Sequence, residues 1–159
     1  MARYHKVART YLGIANPDTY ELVAKWRQDC GTLEERVALA DTLWQSDIFE
    51  ARVAAAKLLT QARIKDDEPV WELICRWVQD FDSWAIADHA SNAGGRRLNA
   101  DPSRLDAVEG WTTSENMWVR RAALVMTLGW AKMAHPKPEQ LEERERILGW
   151  AASYVPDHN

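Results

Sequence analysis

An all-α fold built from stacked helix pairs follows from three features of the 159-residue sequence. Helix signals run from end to end, no stretch alternates apolar and polar residues as a half-buried strand does, and one helical segment recurs at an even step. The length suits a single domain, 1–159, able to bury a substantial core. With 47% hydrophobic and 28% charged residues the chain has the profile of a soluble globular protein rather than a disordered one. Its apolar runs are far shorter than the roughly 20 residues a membrane helix needs, and Met1–Lys6 lacks the apolar core of a secretory leader. A cytoplasmic location without a membrane partner is therefore expected. The net charge of −4 argues mildly against nucleic acid, although one basic face can coexist with an acidic back. Nine tryptophans are several-fold more than usual, so most must pack between helices while a few are spare for recognition.

Taken in order, Asp18-Thr19-Tyr20-Glu21 after Pro17 opens a helix with Leu22, Val23 and Trp26 at helical spacing. Thr32 stands as N-cap of the next helix with Glu35 as its capping-box partner, and Val37, Ala40, Leu43 and Trp44 share one face. Ser46-Asp47 breaks that segment, and Ile48 to Ile64 reads as one long alanine-rich helix. Asp66-Asp67-Glu68-Pro69 is a turn into a helix over Val70–Gln79. Further breaks are expected at Gly94-Gly95, Asn99–Pro102, Thr112–Asn116 and His135–Pro138, with a shorter helix over 103–111. Glu139–Tyr154 reads as the first helix of a further pair, with Pro156–Asn159 resembling the turn before its partner; the sequence therefore looks like a fragment or a shortened homologue. Cys30 and Cys75 fall in helical patterns without metal-type spacing and are expected to be buried free thiols. His5, His89, His135 and His158 show no zinc spacing, so no metal and no cofactor is assigned.

Internal similarity carries the architecture. Ile48–Ala56 lies over Asn116–Leu124 at an offset of 68, twice 34, and Asp82–Ala90 lies halfway. That step is the length of one helix–turn–helix unit of a solenoid. Small residues recur at Ala54-Ala55-Ala56, Ala87 with Ala90, and Ala122-Ala123, where neighbouring helices would approach closely. The fold expected is a HEAT-like helical-repeat solenoid of three or more helix pairs. In this register Asp88 takes the column of Ala54 and Ala122, and Arg121 the column of Val53 and Ala87. Packing does not explain a charge in an apolar column, because burying an unpaired ion costs several kcal/mol. Either both face a polar cleft or they face each other, a purely structural Asp–Arg bridge being the plain alternative. Trp84 precedes Asp88 by one helical turn and shares its face, an aromatic wall beside a carboxylate that would suit a cationic ligand. Arg120 shares its column with Arg52, as a repeated structural or surface arginine would. His89, about 100° round the helix from Asp88, is poorly placed to act as a base beside it.

These residues resemble a known family. Met1-Ala2-Arg3-Tyr4, Tyr11-Leu12-Gly13-Ile14, Leu43-Trp44, Phe49-Glu50-Ala51, Ser83-Trp84 with Asp88, and Asn116–Ala123 resemble, in order and spacing, the AlkD-like DNA alkylation repair glycosylases. The resemblance implies a DNA glycosylase, a base-excision-repair hydrolase that removes positively charged N3- and N7-alkylated purines from double-stranded DNA. It places the catalytic aspartate at Asp88, its tryptophan at Trp84, the active-site arginine at Arg121 and a DNA-contacting aromatic at Tyr4. Arg96, Arg97 and Arg120 are further candidates for DNA binding, the first two for phosphates near a helix end; Lys57, Arg63 and Lys65 would extend a basic track. The sequence departs from the family at Ala85, where some relatives are polar, and a further active-site aromatic of the family would lie beyond Asn159. A monomer is expected. The alternative reading is a HEAT-repeat scaffold that binds DNA or another protein without catalysis.

Overall fold

The computed structural model describes residues 2–155, so the expected terminal turn at Pro156–Asn159 lies outside the described residues. Within them every regular element is helical, apart from one isolated bridge between Thr10 and Ile48. The α-helices are α1 (Ala2–His5), α2 (Asn16–Asp29), α3 (Leu33–Gln45), α4 (Phe49–Leu58), α5 (Glu68–Val78), α6 (Trp84–Ala100), α7 (Leu105–Glu109), α8 (Met117–Met126), α9 (Leu128–Ala131) and α10 (Pro138–Ser153). Short 3₁₀ turns at Pro102–Arg104 and Gly110–Thr113 flank α7, so the single helix expected over 103–111 is three short pieces. No described helix is long and apolar enough to cross a membrane.

The helices form two layers of a helical-repeat solenoid. Helices α2, α4, α6 and α8 lie side by side, and α3 pairs with α4 as α5 pairs with α6. The 3₁₀ turn after α7 packs on α8, and α10 follows as the next member of the α3–α5–α7 layer. Between the layers runs a core of Val23, Ala40, Val53, Leu58, Leu73, Ile74, Ile86, Leu98, Leu105 and Val119, all nearly inaccessible. Thr32 and Glu35 form the expected capping box.

Tryptophans pin one repeat to the next. Trp44 of α3 stacks on Trp77 of α5 with centroids 4.3 Å apart. Each indole N–H donates to a carboxylate of the neighbouring repeat, Trp44 Nε1 to Asp80 at 3.1 Å and Trp77 Nε1 to Asp41 at 3.4 Å. Trp150 repeats the arrangement one step on, donating to Glu109 at 2.9 Å. A buried indole needs such an acceptor, which is why flat apolar area and an acidic partner recur together. Trp84, 39% exposed, takes no part in this packing.

Three further expectations are corrected. The helix expected to reach Ile64 stops at Leu58: the Thr60 hydroxyl caps the Ala56 carbonyl in the last turn, and beyond it the Arg97 guanidinium takes the carbonyls of Gln61 and Ala62. Gly94-Gly95 does not break the chain but lies inside α6. A β-carbon on Gly95 would stand 2.9 Å from the Met126 carbonyl oxygen, so the pair serves close approach of α6 to α8 rather than a turn. The thiols of Cys30 and Cys75 are free as expected, but half-buried rather than sealed. Burial pushes the Cys75 thiol up to about 11, with Glu68 adding to it, and so keeps it unreactive.

Arg97 is fully buried and so is not the phosphate ligand its sequence position suggested. Its guanidinium donates to Asp67 at 2.9 Å, and Arg104 donates to the other oxygen of the same carboxylate at 2.8 Å. Two nearly inaccessible arginines thus share one acid between α4 and α5. Removing that acid leaves both cations without it in a dry setting. Asp67→Asn is expected to lower unfolding free energy by about 3–5 kcal/mol, measured by urea denaturation.

Candidate functional site

Helix α6 shows two faces. Ala87, Ala90, Ala93 and Gly94 face the packing, while Trp84, Asp88, Asn92, Arg96 and Asn99 form the accessible stripe at helical spacing. Asp88 and Arg121 meet across the gap to α8: Arg121 Nε and Nη2 each donate to one Asp88 oxygen at 2.9 Å. Both side chains remain partly accessible, 35% and 44%, so the pair lies at the surface and not under the core. The bonds to Asp88 raise the Arg121 pKa above its ordinary value, which keeps the guanidinium charged.

The pairing also corrects the repeat register. Asp88 is the fifth residue of α6, Arg121 the fifth of α8 and Val53 the fifth of α4. The steps are 35 and 33 rather than two of 34, because α6 starts one residue later than equal spacing requires. Asp88 and Arg121 therefore occupy one column in adjacent helices, and like positions in side-by-side helices are neighbours. The alternative that they face each other is what the geometry gives, at the mouth of a cleft.

From Asp88 that cleft, of ≈ 380 Å³, runs along α6, with Ser91, Asn92, Gly95, Arg96 and Asn99 on one side. Val125, Met126 and Leu128 form the other wall. Ser91 Oγ is buried there without a protein partner among the described residues.

Above the other end of the stripe lies the N-terminal segment. Arg9 ties it down, bonding Asp47 at 2.9 Å and Asp82 at 2.8 Å with its own side chain 3% exposed. Glu50, buried on α4, accepts the backbone N–H groups of Leu12 at 3.0 Å and Gly13 at 2.9 Å. The Phe49 N–H adds a bond to the Thr10 carbonyl. So strapped, the chain brings Tyr4 edge-on to Trp84 at 5.9 Å between centroids. His5 sits beneath, among Trp84, Phe49 and Tyr11. Sequence patterns gave no sign of Arg9 or His5 in this role. A hydrophobic-column argument finds charges that interrupt a repeat, and both precede the first repeat.

Of the residues singled out from sequence, Asp88, Trp84, Arg121 and Tyr4 lie together. Arg96 shares the face of Asp88 two turns on. Arg120 is committed elsewhere, donating to the carbonyls of Ser114 at 2.6 Å and Glu115 at 2.9 Å, as Arg52 donates to that of Trp44 at 3.1 Å. The repeated arginine thus holds the turn before each helix and is not free for DNA. His89 turns away from the cleft, edge-on to Tyr20, whose ring carries Lys57 Nζ at 4.3 Å. Among the described residues no group of three or more histidine, cysteine or acidic side chains is placed to hold a metal.

The model of the family described as DNA alkylation repair enzyme matches residues 1–159. No curated protein and no solved structure matches the chain.

An ion pair this accessible contributes little to stability, so Asp88→Asn and Arg121→Ala are each expected to change unfolding free energy by less than about 1 kcal/mol in urea denaturation. The histidines behave differently. Burial lowers the pKa of His5 and of His89 below 6.5, with Lys57 adding to the second and Asp88 opposing. The unfolded chain then binds more protons than the folded one once the pH falls below 6.5, and stability is lost there. Thermal unfolding between pH 8 and 5 is expected to show a falling Tm below pH 6.5, and the double variant His5→Gln, His89→Gln to flatten that fall.

Proposed function

The chain belongs to the DNA alkylation repair enzyme family, which gives it a role in DNA alkylation repair with DNA as its partner, and from that premise we propose that it is a DNA glycosylase for cationic alkylpurines in duplex DNA. The observation that carries this reading is the accessible Asp88 carboxylate, held by Arg121 one turn from an exposed tryptophan.

An N3- or N7-alkylated purine bears a positive charge and departs readily. As the C1′–N bond breaks, its electron pair leaves with the base, which becomes neutral, and the sugar becomes oxocarbenium-like. The Asp88 carboxylate offsets that charge and orients the water that adds to C1′, accepting the proton the water gives up. Carboxylates do the same work in glycoside hydrolysis. Trp84 and Tyr4 present ring faces and edges near one point, a suitable wall for the cationic nucleotide. Arg121 has a second use. A guanidinium that forks onto a carboxylate forks equally well onto a phosphate, so an incoming backbone phosphate can take Arg121 and free Asp88 for water.

A second reading, a DNA-binding or protein-binding scaffold without catalysis, draws on the same closed pair taken as structural. Base release separates the two. Incubated with duplex DNA containing 7-methylguanine, the wild-type protein is expected to release free base, and Asp88→Asn to release it at least about a hundredfold more slowly. Trp84→Ala is expected to raise KM more than it lowers kcat. Equal rates for wild type and Asp88→Asn would remove Asp88 from the chemistry, and no release by folded wild type would favour the scaffold.

A further inference from the structure

Seven of the fourteen arginines hold a carboxylate among the described residues. Arg63 and Arg96 have no carboxylate within ion-pair distance among the described residues, and they line the same cleft of ≈ 330 Å³ together with Asn99. This cleft adjoins the one that starts at Asp88, since Arg96 and Asn99 line both. Two cations lining one cleft give it a positive potential that favours an anion there.

Their placement is built rather than accidental. Arg63 sits on the loop after α4, whose Gln61 and Ala62 carbonyls are gripped by the buried Arg97. The Gln61 side chain is gripped in turn by Arg36. The loop is therefore fixed at two successive residues directly before Arg63. Arg97 and Arg96 are adjacent in α6 and point to different faces, so the helix that anchors the loop also supplies the second cation. Asn99, one turn beyond Arg96, adds an amide donor.

We infer that Arg63, Arg96 and Asn99 form a second phosphate site on the DNA-binding face, separate from the Asp88–Arg121 pair. Its ligand is a backbone phosphate of the duplex. The proposal rests on DNA being the substrate read above. Eight residues of α6 separate Asp88 from Arg96, about 12 Å of helix. At 3.4 Å of duplex axis per phosphate of one strand, that distance spans three or four nucleotides. One phosphate at Arg121 and another here fix the register of the strand, so that the lesion nucleotide meets Asp88. Guanidinium and amide donors that contact phosphate position the duplex without reading its sequence.

The test is binding of a fluorescent undamaged duplex by anisotropy across 50–200 mM KCl, with single-turnover release of 7-methylguanine alongside. For Arg63→Ala, Arg96→Ala the slope of log K against log salt is expected to become shallower by about 0.9, since the one phosphate the site holds is lost. Affinity near 100 mM KCl is expected to fall at least about tenfold, and single-turnover release at saturating protein to slow as the strand's register is lost. Arg96→Lys keeps the charge and is expected to keep the slope, as is Lys137→Ala, which removes an exposed cation at the start of α10. An unchanged slope and affinity in the doubly substituted protein, with thermal unfolding equal to wild type, overturns the site. So does an equal loss in Lys137→Ala, which would make the effect one of net charge. Failure of wild type to bind any duplex would instead sink the DNA reading itself.

Discussion

The close approach of α6 to α8 is the constraint on which the rest depends. Gly95 lies so near the Met126 carbonyl that no β-carbon fits between them, and Ala90, Ala93, Ala122 and Ala123 keep the remaining seam thin. Only at that separation do the fifth residues of the two helices come within hydrogen-bond reach. An aspartate and an arginine then form a forked pair instead of two isolated charges. A larger residue at 95 would push the helices apart and open the pair without touching either partner. Small residues at the seam and charges at its mouth are thus one design: the first sets the distance, the second uses it.

A second set of contacts brings in residues from before the repeats. Arg9 joins Asp47 and Asp82, which stand just before α4 and α6, while Glu50 caps the backbone of Leu12 and Gly13. These bonds hold an otherwise irregular segment across two helix N-termini, and its tip delivers Tyr4 to Trp84. The aromatic corner and the charged pair are therefore assembled from separate parts of the sequence, neither of which contains a complete site.

Most of the fold was legible because a 34-residue step and helical spacing both come from packing, which acts on every repeat alike. Thr32 and Glu35 announced a capping box that exists. Asp88 and Arg121 were legible as charges in apolar columns, although equal spacing placed them one residue out of register with each other. What misled was local chemistry overridden by tertiary contacts. Gly94-Gly95 has the look of a turn but serves a helix crossing, and the segment after Leu58 gives its Gln61 and Ala62 carbonyls to Arg97. Arg96 and Arg97 look equivalent in sequence; a rotation of about 100° sends one to solvent and the other into the core. Arg9 and His5 lie outside the repeat, where a column comparison has nothing to compare.

The electrostatic account of the site makes one demand. Arg121 has two anionic partners available, the carboxylate of residue 88 and a DNA phosphate, and it cannot fork onto both. The most direct measurement is a double-mutant cycle on affinity for undamaged duplex DNA, where no chemistry intervenes. If Arg121 exchanges partners, Asp88→Asn binds more tightly than wild type, and adding Arg121→Ala abolishes that gain. Weaker binding by Asp88→Asn, or a gain that survives loss of Arg121, would contradict the exchange and leave the pair as a structural bridge.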